Sequence, residues 1–177
     1  MIPPALELRP LPEQPCAEQR ALLALRNEPE VRHNMYDGDL IEPATHERWL
    51  DGIAANRRAD YHLVYLDDTL IGMVAFTNID QTHKRADWAF YITGILQGRG
   101  IGIALERSAL DYAFGPLGLN KLNCEVIDWN EAVIALHKRF GFLEEGRRRA
   151  HVWRDGEYHD AVLLGLTRQD WAARQRT

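Results

Sequence analysis

The chain has 177 residues, 46% of them hydrophobic and 27% charged, with a formal net charge of −5. That length suits one domain with a sizeable core, and the composition is that of an ordinary globular protein. The negative balance argues against a partner held by phosphate neutralisation, so no nucleic acid is expected.

In chain order, Ala5 to Arg9 alternates as a short strand. "RPLPEQPCAEQ" carries three prolines and reads as a loop. Ala17 to Arg26 has the pattern of a helix that must end before Pro29. Thr45 can cap a second helix running to about Ala55, with Trp49, Leu50, Ile53 and Ala54 on one side. The period then changes to two. Tyr61–Leu66, Thr69–Ile79 and Arg85–Ile92 read as an antiparallel meander, with turns at Asp67-Asp68 and "DQTHK". A glycine loop, "ILQGRGIG", follows.

Ile101, Leu105, Ala109, Tyr112 and Ala113 mark an amphipathic helix stopped by Gly115-Pro116. Lys121–Ile127 is a further strand. Asp128 and Glu131 form a D-x-x-E capping box before a helix with Val133, Ile134, His137 and Phe140 on its apolar side. Gly141 closes that helix. "RAHVWR" and "EYHDAVLLGL" flank Asp155-Gly156, a strong hairpin signal. The predicted order is β, α, α, β, β, β, glycine loop, α, β, α, β, β: a single mixed α/β domain over residues 5–170.

Cys16 and Cys124 are the two cysteines, and no C-x-x-C spacing indicates a zinc site or a redox pair. His33, His46 and His83 have no ligand spacing either, so no metal is assigned. The start "MIPPALELRP" lacks a basic, apolar signal segment, and no run approaches the roughly 20 apolar residues that cross a bilayer. A cytoplasmic protein without a membrane partner is expected.

The glycine loop holds the chemistry. Counting from Gly98, a G-x-G-x-x-G fingerprint would need glycine at position 103, which is Ile103. No G-K-[ST] closes a phosphate loop either. What remains is a turn from strand to helix whose amides, from Gly98 to Ile103, face outward with the positive end of the helix dipole behind them. Such a turn can grip a pyrophosphate or simply pack tightly.

"QGRGIG" resembles the Q/R-x-x-G-x-G/A signature of the GCN5-related N-acetyltransferase (GNAT) superfamily. "NEAVIALHKRFGF" is similar to that family's N-x-x-A-x-x-L-Y-x-K-x-G-F segment. The resemblance implies a mostly antiparallel mixed sheet, flanked by helices, with a central parallel pair splayed to bind acetyl-CoA. It places Ile92, Gln97, Gly98, Arg99, Gly100, Ile101, Gly102, Ile103, Asn130 and Lys138 at the coenzyme. His137 stands where the family often has a tyrosine near the thioester sulfur. It is the expected acid, and Glu125, on the strand beside the slot, is the expected base.

"LRNEPEVRHNMYDGDLIEPATHERWLDGI" resembles the N-terminal region of the N-acetyltransferases of pseudaminic acid biosynthesis. The matching positions are Arg26, Asn27, Val31, Arg32, Met35, Tyr36, His46 and Trp49, and "MVAFTNID" and "AFYI" extend the similarity. It implies acetylation of the 4-amino group of UDP-4-amino-4,6-dideoxy-N-acetyl-β-L-altrosamine, on the way to glycosylated flagellin or other surface structures. Met35, Tyr36, Trp49, Thr77 and Tyr91 would contact that UDP-amino sugar, with Arg26, Arg32 and Lys84 as diphosphate partners. Core packing is the competing reading for the aromatics. A protein N-terminus, a polyamine or an antibiotic remain rival acceptors, and a non-catalytic acyl-CoA-binding regulator is a rival of another class. A homodimer is compatible with every one of these readings.

Overall fold

Period-two sequence becomes sheet where it is bounded by turn residues. In the computed structural model, which describes residues 6–175, seven strands pair in one sheet. They are β1 (Leu6–Pro10), β2 (Asp60–Leu66), β3 (Thr69–Asp80), β4 (Arg85–Ile92), β5 (Lys121–Ile127), β6 (Leu143–Arg154) and β7 (Glu157–Thr167). Ala5, the expected first residue of β1, lies outside the described residues. The strand order is β1-β2-β3-β4-β5-β7-β6. Every neighbouring pair is antiparallel except β4 and β5. Those two are joined by a helical crossover, which is what a parallel pair requires.

Six helices complete the described residues: α1 (Cys16–Arg26), α2 (Pro29–His33), α3 (Pro43–Ile53), α4 (Ile101–Phe114), α5 (Glu131–Phe140) and α6 (Arg168–Arg174). Alternate strand residues feed two separate cores. Val64, Val74, Trp88, Leu122 and Cys124 pack with Leu105 and Ala109 of α4 and Phe140 of α5. Leu63, Tyr65 and Tyr91 pack with Leu22 of α1, Val31 of α2 and Ile53 of α3. The sheet is therefore covered on both faces, with α4 and α5 on one and α1 to α3 on the other.

Several local expectations are corrected. The proline segment contains a short 3-10 turn at Leu11–Glu13, and α1 begins at Cys16. Thr45 does not cap α3: the cap position is Glu42, followed by Pro43 at the first turn, where a missing N–H costs nothing. Asp128 and Glu131 form no capping box. The Asn130 side chain caps α5 by accepting from the Val133 amide, while Asp128 accepts from the Asp160 amide and ties β5 to β7. Helices α2 and α6 were not foreseen, and α6 carries the fold past the expected end at residue 170.

One feature sets up the site. β4 and β5 pair only at Arg85 with Lys121, Ala86 with Leu122 and Asp87 with Asn123. Beyond these rungs the two strands diverge, yet in the diverging part each stays laddered on its other side, β4 to β3 from Asp87 to Ile92 and β5 to β7 throughout. Gly72 permits the tight side of this arrangement, since a Cβ there would lie 2.1 Å from the Tyr91 carbonyl oxygen.

Candidate active site

The divergence of β4 and β5 leaves a slot through the sheet, with a cavity of about 270 Å³. Asp87 to Phe90 line one wall and Cys124 to Ile127 the other. Strand alternation divides the wall residues between two faces. Trp88, Phe90 and Cys124 turn toward α5; Asp87 and Glu125 turn toward the α1–α2 side.

His137 reaches the slot from α5 and is 2% exposed. Its Nδ1 lies 2.8 Å from Oε1 of Glu106 on α4, a carboxylate with no exposed surface. The ring is wedged among Trp88, Phe90 and Phe142, at centroid distances of 5.3, 6.0 and 5.1 Å. Burial pushes the Glu106 carboxyl above the usual range, and the hydrogen bond to His137 opposes it. With Nδ1 engaged, Nε2 is the ring nitrogen left for the slot.

Glu125 lines the same cavity from the opposite face. Its Oε2 accepts from the Tyr36 hydroxyl at 2.8 Å and from Nη1 of Arg148 at 2.5 Å. Burial and the bond to Glu125 raise the Tyr36 phenol well above its ordinary value, so Tyr36 is a hydroxyl donor here. The expected acid and base thus sit on opposite faces of one slot, as an amine entering from one side and a thioester from the other would require.

The glycine loop lies at the open end of β4. Gly98 and Gly100 have φ of 73° and 80°, and a Cβ at either would meet nothing within 4 Å. The positive φ explains the glycines, and the empty space in front of them fits a ligand rather than tight packing. Gly102 is different: its Cβ would come within 3.2 Å of Leu136 on α5. Two of the expected donors are already used. The Ile103 amide bonds the Gly100 carbonyl at 3.1 Å, and that of Arg99 bonds Leu96 at 3.4 Å. Among the described residues, the amides of Gly98, Gly100, Ile101 and Gly102 have no such main-chain acceptor. Ile92, Gln97, Gly98, Gly102 and Asn130 line an adjoining cavity of about 200 Å³. The Arg99 side chain is exposed, while Lys138 points elsewhere and pairs with Glu144 at 2.8 Å. These residues fit a pyrophosphate with an extended arm running into the slot.

The expected acceptor residues divide. Met35, Tyr36 and Thr77 line the slot. Trp49 lies farther off in a cavity of about 350 Å³ with Tyr61, Met73, His46 and Arg26. Tyr91 belongs to that cavity and to the one beside the glycine loop, so it forms the wall between them. Met35, Trp49 and Tyr91 share one apolar cluster. Arg26 donates from Nη2 to the Asp37 carbonyl at 3.1 Å, while its buried Nη1 has no hydrogen-bond partner. Arg32 is spent on the carbonyls of Asn27 and Gly38. Lys84 sits in the β3–β4 turn, at the closed end of the seam, and its carbonyl accepts from Asn120 and Lys121.

Four residues that sequence reasoning did not single out organise the site. Glu106 left a signal: a carboxylate on the stripe of α4 shared by Ala109 and Ala113. Asp87, which bonds Asn78 at 2.8 Å, left none. Glu28 accepts from the Thr93 hydroxyl at 2.8 Å and the Gly94 amide at 2.7 Å, latching the α1–α2 connection to the glycine loop. Arg154, at the end of β6, donates to the carbonyls of Met35 at 2.8 Å and Tyr36 at 3.3 Å, with its guanidinium over Trp129. Because a charged donor is hard to replace, Arg154→Ala should raise the KM for the acceptor about 3- to 10-fold by freeing this loop. Initial-rate kinetics check it. An equal rise in the KM for the ligand at the glycine loop would mean general loosening instead.

Residues 5–143 match the family model described as an acetyltransferase (GNAT) domain. The putative ribosomal N-acetyltransferase YdaF of Bacillus subtilis is 30% identical over 163 residues, 88% of this chain and 87% of that protein. Acetyltransferase PseH of Campylobacter jejuni is 26% identical, over 83% of this chain and 92% of its own length. Among solved structures, spermidine N-acetyltransferase from Vibrio cholerae, in complex with CoA and spermine, superposes with a TM-score of 0.87 at 23% identity. It covers 94% of this chain and 98% of that one, a likeness of fold. Among the described residues, no group of three or more His, Cys, Asp or Glu could hold a metal. No helix there is long and apolar enough to cross a membrane.

Proposed function

We propose that this chain, which belongs to the GNAT acetyltransferase family and uses acetyl-CoA as its donor, acetylates the 4-amino group of a UDP-linked 4-amino-4,6-dideoxy sugar. The sugar of the reading is UDP-4-amino-4,6-dideoxy-N-acetyl-β-L-altrosamine, an intermediate of pseudaminic acid biosynthesis. The observation that carries it is the cavity where Trp49, Tyr61 and Tyr91 surround Arg26, whose buried Nη1 lacks a partner. Flat rings suit a nucleobase, and a guanidinium with one nitrogen still to be satisfied suits a diphosphate. The similarity to PseH over 83% of this chain supports the same reading.

Chemistry follows from the two faces of the slot. The amine nitrogen attacks the thioester carbonyl carbon, and its proton passes to Glu125. As the C–S bond breaks, its electron pair goes to sulfur, which takes a proton from Nε2 of His137. A thiol has a pKa of about 8.5, so the thiolate leaves tolerably and the acid adds a modest factor. Placing amine and thioester together supplies the larger share.

A second reading has a specific observation behind it. Asp87 and Glu125 both line the slot, and two carboxylates suit a polyamine. Thiol release from acetyl-CoA, measured with the UDP-amino sugar, spermidine and a peptide N-terminus, decides between them. UDP alone should compete with the sugar substrate, and a free amino sugar should be a poor acceptor. More efficient acetylation of spermidine sinks the nucleotide-sugar reading.

Tyr36 adds a finer test. It is 47% exposed, so Tyr36→Ala should remove about 1–2 kcal/mol of ring contact with the acceptor, by analogy with base stacking. That weakens UDP-sugar binding roughly 5- to 30-fold. Calorimetry should find acetyl-CoA affinity unaltered, and a matching loss for both ligands would count against the assignment.

A further inference from the structure

Glu106 has no role in the reaction as described, yet it is the most deeply buried carboxylate in contact with a residue of the slot. It has no exposed surface, and its Oε2 is buried without a hydrogen-bond partner. A carboxylate is rarely placed in an apolar core without a partner that needs it. Its Oε1 lies 2.8 Å from Nδ1 of His137. The alternatives for a merely structural pair are weak: the neighbours of Glu106 on α4, Leu105, Ala109, Leu110 and Ala113, are all apolar core residues, and a leucine would pack there at lower cost.

We propose that Glu106 is the positioning residue of the thiol-protonating acid: it fixes the His137 ring with Nδ1 toward α4 and Nε2 toward the slot, and shares the proton between them. This rests on the reading that His137 protonates the departing sulfur. Before transfer the pair holds two protons, one between Oε1 and Nδ1 and one on Nε2. The Nε2 proton goes to sulfur as the C–S electron pair arrives there. The ring remains neutral with Nδ1–H bonded to an ionised Glu106, and a solvent proton restores the pair. Burial favours the doubly protonated resting state, because the lone carboxylate is poorly solvated. Glu106 also acts electrostatically on the Cys124 thiol of β5, which burial above all pushes well up and so keeps neutral. Histidine thereby works where the family often has a tyrosine, which carries its own proton and needs no such partner.

Glu106→Gln keeps the volume and one hydrogen bond but removes the shared proton. It should lower kcat about 5- to 30-fold while leaving the KM for acetyl-CoA within twofold. In a His137→Tyr background the cost of Glu106→Gln should shrink to under about twofold. Nitrogen-15 NMR of the ligand-free protein gives a readout without turnover: in the wild type Nε2 of His137 should carry a proton and Nδ1 the shared one, and Glu106→Gln should leave a neutral ring with only one of its nitrogens protonated. Wild-type kcat together with an unaltered ring spectrum in Glu106→Gln overturns the proposal, as does an equal cost in the His137→Tyr background. His137→Phe separates the two levels. If it is slow while Glu106→Gln is not, the positioning role alone fails; if His137→Phe turns over normally, the acid role fails and takes this proposal with it.

Discussion

Gly100→Val should raise the KM for acetyl-CoA roughly 100-fold, with a much smaller effect on the KM for the amine. Gly100 has φ of 80° and empty space before its Cβ position. A valine there fills the volume in front of the Gly98, Ile101 and Gly102 amides and strains the left-handed turn that aims them. Losing one or two hydrogen bonds to a charged phosphate, at about 1.5–3 kcal/mol each, gives an effect of that size. Backbone strain by itself is separable. Gly118, in the loop before β5, has φ of 69° and is equally open. Gly118→Val should lower the melting temperature without moving either KM. Calorimetric titration of coenzyme A into Gly100→Val checks the first claim, and unchanged affinity would remove the loop from the coenzyme site.

His137→Phe should lower kcat by about 10- to 100-fold, the low end of general acid catalysis. Phenylalanine suits the ring cage of Trp88, Phe90 and Phe142 but leaves Glu106 buried without its partner. Stability must therefore be measured alongside rate. His137→Tyr is the informative companion, since its hydroxyl restores a donor in the slot, and it should recover much of the lost rate. Single-turnover measurements at saturating acetyl-CoA read the chemical step directly. Wild-type rates for His137→Phe across the pH range would make His137 a structural residue.

Most strands were legible because they are period-two runs bounded by turn residues. β6 was legible only as "RAHVWR" and in fact begins at Leu143, where an exposed, charged stretch shows no alternation. Thr69–Ile79 and Lys121–Ile127 match the observed bounds closely, and Asp155-Gly156 forms the β6–β7 turn. Helix α2 was invisible for a physical reason: five residues are too short to show a 3.6-residue period. The Asp128 box failed because its carboxylate found a competing donor, the Asp160 amide of β7, a partner distant in sequence. The slot followed from the family resemblance and not from periodicity, because divergence of two strands depends on what packs between them. Glu125 and His137 were placed by register and motif. Their partners Arg148 and Glu106 come from β6 and α4, and only the folded chain brings them near. Trp49 and Tyr36 show the limit in the other direction, since residues assigned to one acceptor set line different cavities.

The three rungs between β4 and β5 also make this seam a mechanical joint. Each flank of the sheet is complete in itself: β1 to β4 form one hydrogen-bonded ribbon and β5 to β7 another. Parting them breaks the short ladder at Arg85–Asp87 and the packing of α4, without melting either ribbon. Local openings of a native protein follow its cheapest fracture line. Here that line runs through the binding slot, so a donor spanning it acts as a staple. Amide exchange at Arg85–Asp87 and Lys121–Asn123 should slow on coenzyme binding more than exchange at the middle of β2 or β7. In this fold, grip on the substrate and cohesion of the sheet are one quantity measured at one seam.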